Sequence, residues 1–385
     1  MIRVVHVLTR TNIGGPSVIV ASLLADDRNA DIVQSVVRGV PREDEGDYFA
    51  ESPLLAHITT IDELGKRVRP WDDIRAFVSL VRFFRRTKPD VVHTHMAKAG
   101  FVGRLAAWCA RVPIRVHTFH GHLLTGYFSA NVTRLIVFAE RALRLLTTHA
   151  VVVGHAVRRD LITSRIVSAD RSTVINPGIG VLEPVDPTVA RRALGLPAAG
   201  VIVMYVGRFA AIKRPDRFVA LAHSMVADAD VHFVMVGDGP LLAETQAIAG
   251  PNVTFLGWQR DLATLISAAD VVVMCSDNEG VPLFLLEAAM VGRPAVSTDV
   301  GSVRDVLEDG VTGLVVDNGD AMALSNAVRR LAHDAHLRAQ LGATARKRAQ
   351  NSFTADVGVD AHAALYRSLI AARGARAGRS ARRPR

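Results

Sequence analysis

The sequence contains few cysteines, few aromatic residues and no long hydrophobic run. Its two cysteines, Cys109 and Cys275, lie far apart in apolar segments, which excludes a disulfide scaffold and a zinc site of closely spaced cysteines. No stretch approaches the roughly 18 consecutive apolar residues of a transmembrane helix. The N-terminus has an apolar run of only about five residues and no small-residue cleavage site, so it is typical of a first strand and not of a signal peptide. We therefore expect a soluble, cytoplasmic protein with two buried thiols.

Basic charge is concentrated at the C-terminus. The net charge is +9, and residues 373–385 hold six arginines and no acid, so that removing these six leaves +3. This segment lacks the apolar periodicity that folding requires. We expect residues 374–385 to form a disordered basic tail, either simply solvated or in contact with anionic lipid or nucleic acid. Specific nucleic-acid binding is not expected, because no recognition motif accompanies the tail.

Short β-branched runs alternate with helical patterns along most of the chain. The predicted strands cover residues 3–8, 31–37, 90–95, 115–119, 150–153, 173–176, 201–206, 232–236, 253–256, 271–275, 295–297 and 313–316. Valine- and isoleucine-rich runs separated by helices are typical of parallel strands that are covered on both faces. Two such sets predict an α/β fold of two doubly wound, Rossmann-like domains.

Proline and glycine in residues 178–200 interrupt this alternation and mark a domain boundary. The predicted domains are 1–185 and 186–355, and a helix at 356–373 follows that could reach back to the first domain. Ligands of open α/β sheets bind beyond the carboxyl ends of the strands. The segments that follow the predicted strands are rich in glycine and polar residues, and two domains presenting such loops to each other would form a cleft.

Two glutamates are the most informative candidates for a site. Glu279 follows a predicted buried strand and precedes Gly280 and Pro282, a favourable start for a helix. Its carboxylate and the free amides of that helix start could bind sugar hydroxyls and an anion together. Glu287 has apolar neighbours on its helical face, so it needs partners such as ribose hydroxyls. The alternative is a capping Glu279 and a Glu287 satisfied within the fold.

Two cations and a glycine pair point to a phosphate group. Arg208 and Lys213 follow the strand at 201–206 and could neutralise a diphosphate, although taken alone they would more often be surface charges. Asn12, Gly14 and Gly15 occupy the first strand-to-helix loop, where two glycines allow close approach to a ligand. Such a turn is weak support by itself, because any tight turn of this kind favours glycine.

Histidines cluster after two strands of the first half. His120 precedes Gly121, and we expect its ring to face the cleft, hydrogen-bond a sugar hydroxyl or phosphate, and exchange protons near neutral pH. The competing histidines are His93, His95, His117 and His122. Alternation places His93 and His95 on one face, where at least one is expected to be a core histidine satisfied by backbone. A histidine metal site is not favoured, because no acid is placed to complete it.

Other catalytic signatures are absent or misplaced. The clearest Asp-x-Asp, Asp228-Ala-Asp230, precedes its strand and so lies at the wrong end to hold a cation on a diphosphate. Gly237 and Gly239 begin a dinucleotide fingerprint whose third glycine is replaced by Leu242. No P-loop and no G-x-S-x-G motif occurs. Arg208, Lys213 and backbone amides would then stabilise a leaving diphosphate without a metal ion.

These residues in this order resemble family four of the retaining glycosyltransferases, which have the GT-B architecture of two facing Rossmann-like domains. The resemblance runs from IGGP (13–16) to GVTGLVV (310–316), and its most specific element is the E-x7-E pair of Glu279 and Glu287 inside EGVPLFLLEAAMVGRPAV. GRFAAIKRP supplies the phosphate-binding cations, and TFHG supplies the cleft histidine. DVVHTHMAKAG and VHTFHGH look most like enzymes that build bacterial cell-surface polysaccharides.

The resemblance implies specific roles for these residues. The implied catalytic residues are Glu279, His120, Arg208 and Lys213. The implied donor-binding residues are Gly15, Arg208, Lys213, Gly237, Trp258, Arg260, Gly280, Val281, Pro282, Leu283 and Glu287. The implied acceptor-binding residues are Asn12, His95 and His120. The first domain would bind the acceptor and the second the nucleotide sugar, most simply a UDP-sugar, with no cofactor and no metal.

The implied reaction is transfer of a hexosyl or N-acetylhexosaminyl group with retention of configuration, to a hydroxyl of a glycan, a lipid-linked glycan or a small molecule. Val281 and the loop 300–302 depart from the family pattern and could change which sugar fits. Residues 132–146 form a basic amphipathic segment that is either a membrane-surface helix or an ordinary packed one. The alternatives are a nucleotide-sugar epimerase or hydrolase, or a non-catalytic nucleotide-sugar-binding protein.

Overall fold

The computed structural model describes residues 1–12, 14–41, 46–65, 69–121 and 129–381, with side chains to residue 375. Its contacts divide the described chain into two compact units. The N-terminal unit comprises the residues up to Gly178 together with those from Ala355 onward, and the C-terminal unit comprises Ile179–Thr354. The division falls at the start of the proline- and glycine-rich stretch 178–200.

The N-terminal unit is a parallel sheet with helices on both faces. Its strands and helices are β1 (Ile2–Leu8), α1 (Gly15–Leu24), β2 (Ile32–Arg38), β3 (Ile58–Thr60), α2 (Pro70–Thr87), β4 (Val91–His95), α3 (Ala97–Cys109), β5 (Ile114–Phe119), α4 (Ala130–Leu143), β6 (His149–Val152), α5 (His155–Thr163) and β7 (Ser172–Val174). The described strands pair in parallel in the order β3-β2-β1-β4-β5-β6-β7. This order reverses between β1 and β4, as in the doubly wound folds.

The C-terminal unit repeats this architecture. Its strands and helices are α6 (Pro187–Ala193), β8 (Val201–Val206), α7 (Pro215–Ser224), β9 (Val231–Val236), α8 (Leu242–Ile248), β10 (Val253–Gly257), α9 (Leu262–Ala268), β11 (Val271–Met274), α10 (Leu283–Val291), β12 (Ala295–Thr298), α11 (Val303–Val306), β13 (Gly313–Val316), α12 (Ala321–His333) and α13 (Ala335–Ser352). The described strands pair in parallel in the order β10-β9-β8-β11-β12-β13, with the reversal between β8 and β11.

Burial explains why the strands are nearly continuous apolar runs. In β8, Met204 packs in the cluster that includes α9, α10 and α13. Its neighbours Val203 and Tyr205 point to the opposite face and pack in the cluster that includes α7 and α12. Because successive strand residues alternate between faces, a sheet covered on both sides needs apolar residues at every position. The predicted fold class, an α/β protein of two doubly wound domains, is confirmed.

The last helix, α14, spans Ala355–Ala381 and belongs to the N-terminal unit. It packs through Leu365 and Tyr366 against the apolar face formed by β1, β4 and β5. The prediction of a disordered tail from residue 374 is wrong as far as residue 381, because alanine and arginine are strong helix formers and no proline interrupts residues 355–383. Residues 382–385 of that tail lie outside the described residues.

Two further findings bear on the sequence expectations. None of the helices in the described part of the chain combines the length and the apolar character that a bilayer span requires. Cys275 is buried as expected, whereas Cys109 is only partly buried. Cys109 is the last residue of α3 and packs at the margin of the core cluster.

Candidate active site

The C-terminal unit brings two predicted site residues into direct contact at the strand-order reversal. Lys213 lies in the loop after β8, and Glu279 lies in the loop after β11. Nζ of Lys213 donates a hydrogen bond of 2.6 Å to Oε1 of Glu279. Because β8 and β11 are adjacent and parallel, their carboxyl ends deliver both loops to the same edge of the sheet, where doubly wound folds bind ligands.

Ser276 completes the contact. Its hydroxyl donates a 2.6 Å hydrogen bond to the same Oε1 of Glu279, and the Glu279 side chain is only 9% exposed, against 33% for Lys213. Both recorded donors to this carboxylate therefore contact one of its two oxygens. Sequence reasoning missed Ser276, although its position three residues before Glu279 was a usable signal.

Backbone contacts from neighbouring loops hold the Glu279 segment in place. The amide of Asp277 donates to the carbonyl of Ile212 at 2.9 Å, and the amide of Ser302 donates to the carbonyl of Gly280 at 3.0 Å. Gly301 adopts a positive φ of 53°, and a Cβ on it would lie 1.8 Å from the carbonyl oxygen of Glu279. Only glycine fits there, so the 300–302 loop is built directly against the glutamate.

The cations after β8 have different surroundings. Arg208 is exposed, and no hydrogen bond or ion pair of its guanidinium is recorded within the described residues. Arg214, which the sequence did not single out, pairs with Asp216 at 2.7 Å and with Asp277 at 3.2 Å. Arg208 is therefore a solvated cation beside the site, whereas Arg214 ties the two loops together.

Helix α10 presents the second glutamate. The helix begins at Leu283 after Pro282, as the sequence predicted, with no side chain capping its first amides. Glu287 lies about one turn from the start of this otherwise apolar helix and is partly buried. No hydrogen bond to its carboxyl is recorded in the described part of the chain, and desolvation raises its pKa from 4.5 to about 7. The carboxyl is therefore poised between its neutral and ionised forms at physiological pH.

The loops after β9 and β10 flank the same edge. Gly237 has a φ of 129°, and a Cβ on it would lie 2.1 Å from the carbonyl oxygen of Gly207; its amide donates to the carbonyl of Gly257 at 2.8 Å. Trp258 is half-exposed, and the guanidinium of Arg260 lies over its ring, 5.4 Å from the centroid. These loops offer glycine backbone and a flat aromatic surface.

The Asp228-Ala-Asp230 sequence has a structural role. Asp228 accepts hydrogen bonds from Arg329 at 3.3 Å and from His333 at 2.9 Å. It lies just before β9, at the amino edge of the sheet. The expectation that it belongs to loop structure agrees with these partners.

In the N-terminal unit, the loop after β1 leads into α1. Ser17 donates from its hydroxyl to the carbonyl of Asn12 at 2.7 Å, and Nε of Arg10 donates to Oδ1 of Asn12 at 3.1 Å. Helix α1 begins at Gly15 with no side-chain cap on its first amides. Asn12 and Gly15 are thus held at the carboxyl edge of β1, next to the strand-order reversal.

A connected chain of side chains lies behind His120. Nε2 of His120 is 3.0 Å from Nδ1 of His95, and Nε2 of His95 is 3.1 Å from Nδ1 of His6. Nε2 of His6 is in turn 2.9 Å from Oε1 of Gln34. We call Gln34, His6, His95 and His120 the histidine relay. Sequence reasoning missed His6 and Gln34.

Burial and hydrogen-bond partners correct two expectations for these histidines. His95 is fully buried behind His120, so the prediction that it contacts the acceptor is wrong. His93 and His95 do stack on one face, with ring centroids 4.4 Å apart. However, their partners are side chains and not backbone: Tyr366 and Thr118 bond His93 at 2.6 Å each.

Burial also disfavours protonation of these rings near neutral pH. Burial lowers the pKa of His120 to about 3 and that of His6 to about 4, and it holds the pKa of His95 well below its usual value. The sequence predicted that His120 exchanges protons near neutral pH, whereas its buried surroundings keep the ring neutral there. His122 lies outside the described residues.

His6, His93 and His95 are close enough to be considered as a metal site, because one ring nitrogen of each lies within 4.8 Å of the others. Both ring nitrogens of each residue, however, already face hydrogen-bond partners. A metal ion would have to displace these bonds, so the three rings are better described as a satisfied polar network in the core.

Two family models match this chain. One, described as Glycosyltransferase Family 4, covers residues 13–181, and the other, described as Glycosyl transferases group 1, covers residues 200–334. Among curated relatives, the UDP-Gal:alpha-D-GlcNAc-diphosphoundecaprenol alpha-1,3-galactosyltransferase of Escherichia coli is 28% identical, over 84% of this chain and 86% of the relative. The D-inositol 3-phosphate glycosyltransferase of Thermobispora bispora is 32% identical, over 76% of this chain and 75% of the relative.

Solved structures agree with the fold. HepE of Anabaena, in complex with UDP and glucose, matches 96% of this chain and 100% of its own with a TM-score of 0.80 and 19% identity. Sucrose-phosphate synthase of Thermosynechococcus elongatus matches 97% of this chain and 100% of its own with a TM-score of 0.81 and 24% identity. The fold is therefore GT-B, as the sequence predicted.

Proposed function

This chain belongs to glycosyltransferase family 4, and from that premise we propose that it transfers a sugar from a UDP-sugar to a hydroxyl of a glycan or lipid-linked glycan of the cell envelope. It is a retaining glycosyltransferase that uses a nucleotide-sugar donor. The observation that carries the assignment of its site is the hydrogen-bonded pair of Lys213 and Glu279 at the strand-order reversal of the C-terminal unit. Neither the epimerase or hydrolase nor the non-catalytic alternative has support.

In the proposed site, the nucleotide diphosphate contacts cations and amides. Lys213 and the exposed Arg208 neutralise the charge that develops on the leaving diphosphate, and the uncapped amides of Gly15 and of the start of α10 add donors. Glu287 accepts hydrogen bonds from the ribose hydroxyls, because its carboxyl has no recorded partner in the described residues. Trp258 and Arg260 flank the base. Charge on the diphosphate is thus balanced by the protein, and we propose that neither a metal ion nor a cofactor is required.

The transferred sugar is held by Glu279 and the segment that follows it. Lys213 and Ser276 both contact Oε1 of Glu279, which leaves Oε2 to accept a hydrogen bond from a sugar hydroxyl. Gly280, Val281, Pro282 and Leu283 supply backbone around the same sugar.

Retention follows if the acceptor hydroxyl attacks on the face that the diphosphate leaves. The glycosidic bond to the diphosphate breaks, the bond to the acceptor oxygen forms, and a diphosphate oxygen takes the hydroxyl proton. No carboxylate acts as a nucleophile. The acceptor is bound by the N-terminal unit, with Asn12 and His120 as its polar contacts, and His95 is withdrawn from that role because it is buried.

The acceptor class is supported by a relative and by a surface. The name of the E. coli relative places its acceptor sugar on a diphosphoundecaprenol lipid. In this chain, α4 exposes Leu135 and Phe138 to 67% and 72%, with Arg134 and Arg141 exposed beside them. Apolar residues flanked by arginines on one exposed helix are typical of a surface that lies on an anionic membrane. We propose that α4 brings the enzyme to a lipid-linked acceptor at the inner face of the membrane.

The donor proposal is tested by thermal unfolding of the purified protein with UDP, GDP, ADP and their sugars, in buffer with a chelator. A ligand that binds only the folded state raises the melting temperature. We expect a selective shift with UDP and with one UDP-sugar. A shift with GDP or ADP instead would contradict the choice of base, a shift only after addition of Mg²⁺ would contradict metal independence, and no shift with any nucleotide would contradict the site.

A further inference from the structure

The histidine relay has a direction that its hydrogen bonds determine. Gln34 donates from Nε2 to the carbonyl of Leu23 at 2.5 Å, so its Oε1 is the atom that faces His6. An amide oxygen only accepts, and therefore Nε2 of His6 carries the proton in the 2.9 Å bond between them. A neutral imidazole has one donor and one acceptor nitrogen. Nδ1 of His6 is consequently an acceptor.

The same reasoning passes outward along the relay. Nδ1 of His6 accepts from Nε2 of His95 at 3.1 Å, which leaves Nδ1 of His95 as an acceptor. That atom accepts from Nε2 of His120 at 3.0 Å. His120 then has its proton on Nε2, pointing inward, and a lone pair on Nδ1. Unlike His6 and His95, His120 is only partly buried.

This assignment of donor and acceptor nitrogens requires that all three rings are neutral, and their surroundings keep them neutral. Besides the relay itself, the titratable groups that act on these rings are His93, His117 and His362, which burial also holds below their usual pKa. Burial raises the pKa of Tyr366, so this neighbour of His93 is neutral as well. These groups offer no negative charge that would stabilise an imidazolium.

We propose that Gln34, His6 and His95 are positioning residues that hold His120 in one tautomer, so that its Nδ1 accepts a hydrogen bond from a substrate hydroxyl. Successive bonds in such a chain polarise one another and strengthen the last acceptor. The role toward substrate rests on the proposed glycosyl transfer, whereas the tautomer is a property of the free protein. The hydroxyl belongs either to the transferred sugar or to the acceptor.

The tautomer is tested on the wild-type protein without any ligand. Long-range proton–nitrogen NMR spectra of protein labelled with ¹⁵N-histidine distinguish the two tautomers of each ring, and single His→Gln variants assign the signals. We expect His6, His95 and His120 all to carry the proton on Nε2, unchanged between pH 6 and pH 8. A proton on Nδ1 of His120, or a His120 ring that titrates in this range, would overturn the relay whether or not the enzyme transfers sugar.

The role is tested by changing the inner end of the relay, which does not contact substrate. Gln34→Leu removes the acceptor for His6, and we expect mixed tautomers at His120 and a loss of kcat/KM of about tenfold, the scale of one hydrogen bond. Gln34→Asn retains an amide whose oxygen can accept from His6 and whose nitrogen can still donate, without adding a charge, so it should keep more of the single tautomer and of the activity than Gln34→Leu. Thr94→Val is the matched control, because it deletes the 2.9 Å bond to the buried His117 outside the relay.

The two possible hydroxyls are separated by the same variant. If calorimetry shows a higher dissociation constant for the UDP-sugar in Gln34→Leu, the hydroxyl that contacts His120 belongs to the transferred sugar. If the donor affinity is unchanged and the KM for the acceptor is higher, the hydroxyl belongs to the acceptor. If Gln34→Leu has mixed tautomers and yet binds donor and turns over acceptor like the wild type, the positioning role is wrong. The same conclusion follows if Thr94→Val loses as much activity as Gln34→Leu.

Discussion

Lys213 and Glu279 are joined by a 2.6 Å hydrogen bond between Nζ and Oε1, although 66 residues separate them in sequence. The cation assigned to the leaving diphosphate is therefore paired, in the free protein, with the carboxylate assigned to the transferred sugar. Each charge holds the other in place before the donor arrives. Donor binding would add negative phosphate oxygens around Lys213, so the pair prepares the site for charge that develops in the transition state.

The first prediction concerns this pair. Lys213→Ala and Glu279→Ala should each lower kcat by at least about 10²-fold, because a charge preorganised for the transition state is removed. Both variants should remain folded. Lys213→Ala should also lose roughly 1–3 kcal/mol of stability, since it leaves the nearly buried Glu279 carboxylate with Ser276 as its one recorded side-chain donor. Donor turnover and urea unfolding measure the two effects.

Lys347→Ala is the matched control for the cation, because Lys347 is an exposed lysine on α13 of the same unit. Glu308→Ala is the control for the carboxylate, because Glu308 is 57% exposed and forms a surface ion pair with Arg348. Both controls should turn over donor like the wild type. Wild-type turnover in Lys213→Ala or Glu279→Ala would overturn the assignment of the site.

The second prediction concerns Gly301. Gly301→Ala places a Cβ 1.8 Å from the carbonyl oxygen of Glu279 in a backbone with φ of 53°, so the Glu279 loop must move. Gly310→Ala has a comparable φ of 73° with open space around the new Cβ. We expect Gly310→Ala to cost about 1 kcal/mol from backbone strain alone and to retain activity. Gly301→Ala should cost more and lose most donor binding, as measured by urea unfolding and calorimetry.

This comparison separates strain from contact, because both glycines have positive φ and one of them lies against Glu279. Equal losses of stability and equal donor affinity in the two variants would show that the contact with the Glu279 backbone has no importance for the site.

Strand-end reasoning placed Lys213 and Glu279 at one edge of the C-terminal sheet, where the structure brings them into contact, because the ends of adjacent parallel strands leave little choice. Once β8 and β11 are recognised as buried runs, their carboxyl ends must meet at one edge, and Lys213 and Glu279 with them. All twelve predicted strands were found, within three residues at each end. The missed strand, β3, is three residues long and pairs at the edge of the sheet, so it has no run of buried residues to signal it.

The histidine relay could not be predicted, for a physical reason. His6 and Gln34 each lie in mainly apolar strands, and which of them meets His95 depends on the register of β1 against β2 and β4. A one-residue shift of register would turn these side chains to the other face. The helical state of residues 374–381 was missed because the composition argument weighed arginine charge and not the helix propensity of Ala and Arg.

The third prediction concerns the pH dependence caused by Glu287. Its pKa in the folded protein is raised from 4.5 to about 7, so the folded state holds a proton that the unfolded state releases between these values. The free energy of unfolding should therefore fall as pH rises from 4.5 to 7 and stay reduced above 7. Glu287→Gln removes this penalty. It should match the wild type near pH 4 and exceed it at pH 8 by roughly 1–3 kcal/mol.

Nucleotide binding should show the opposite trend. Ribose hydroxyls donate to the ionised carboxylate and favour it, so the affinity for UDP should rise by about tenfold between pH 6 and pH 8 as Glu287 ionises near 7. The diphosphate of UDP also titrates in this range. Because Glu287→Gln cannot ionise at this position, the pH dependence of its UDP affinity gives the contribution of the diphosphate alone. An identical pH dependence of UDP affinity in the wild type and in Glu287→Gln would contradict ribose binding by this residue.

The fourth prediction concerns the exposed face of α4 and membrane binding. The wild-type protein should co-sediment with vesicles that contain anionic lipid at low salt and be released as salt rises. Reversing the charge of Arg134, Arg141 and Arg144 together should weaken binding by about 100-fold or more, since each basic residue near such a surface contributes about 1 kcal/mol. Phe138→Asp should weaken binding as well, because it removes an apolar side chain that is 72% exposed.

A control with the same change of charge separates a docking face from general attraction. Arg82, Arg85 and Arg86 are exposed on α2 of the same unit, and their reversal to glutamate should leave most of the binding. Deleting residues 374–385 should also leave vesicle binding and UDP affinity largely unchanged, which separates α4 from the basic C-terminus. If the α2 and α4 variants weaken binding equally, the attraction depends on net charge and α4 is not a docking face. If the wild type does not sediment at low salt, the lipid-linked acceptor must be reached without this surface.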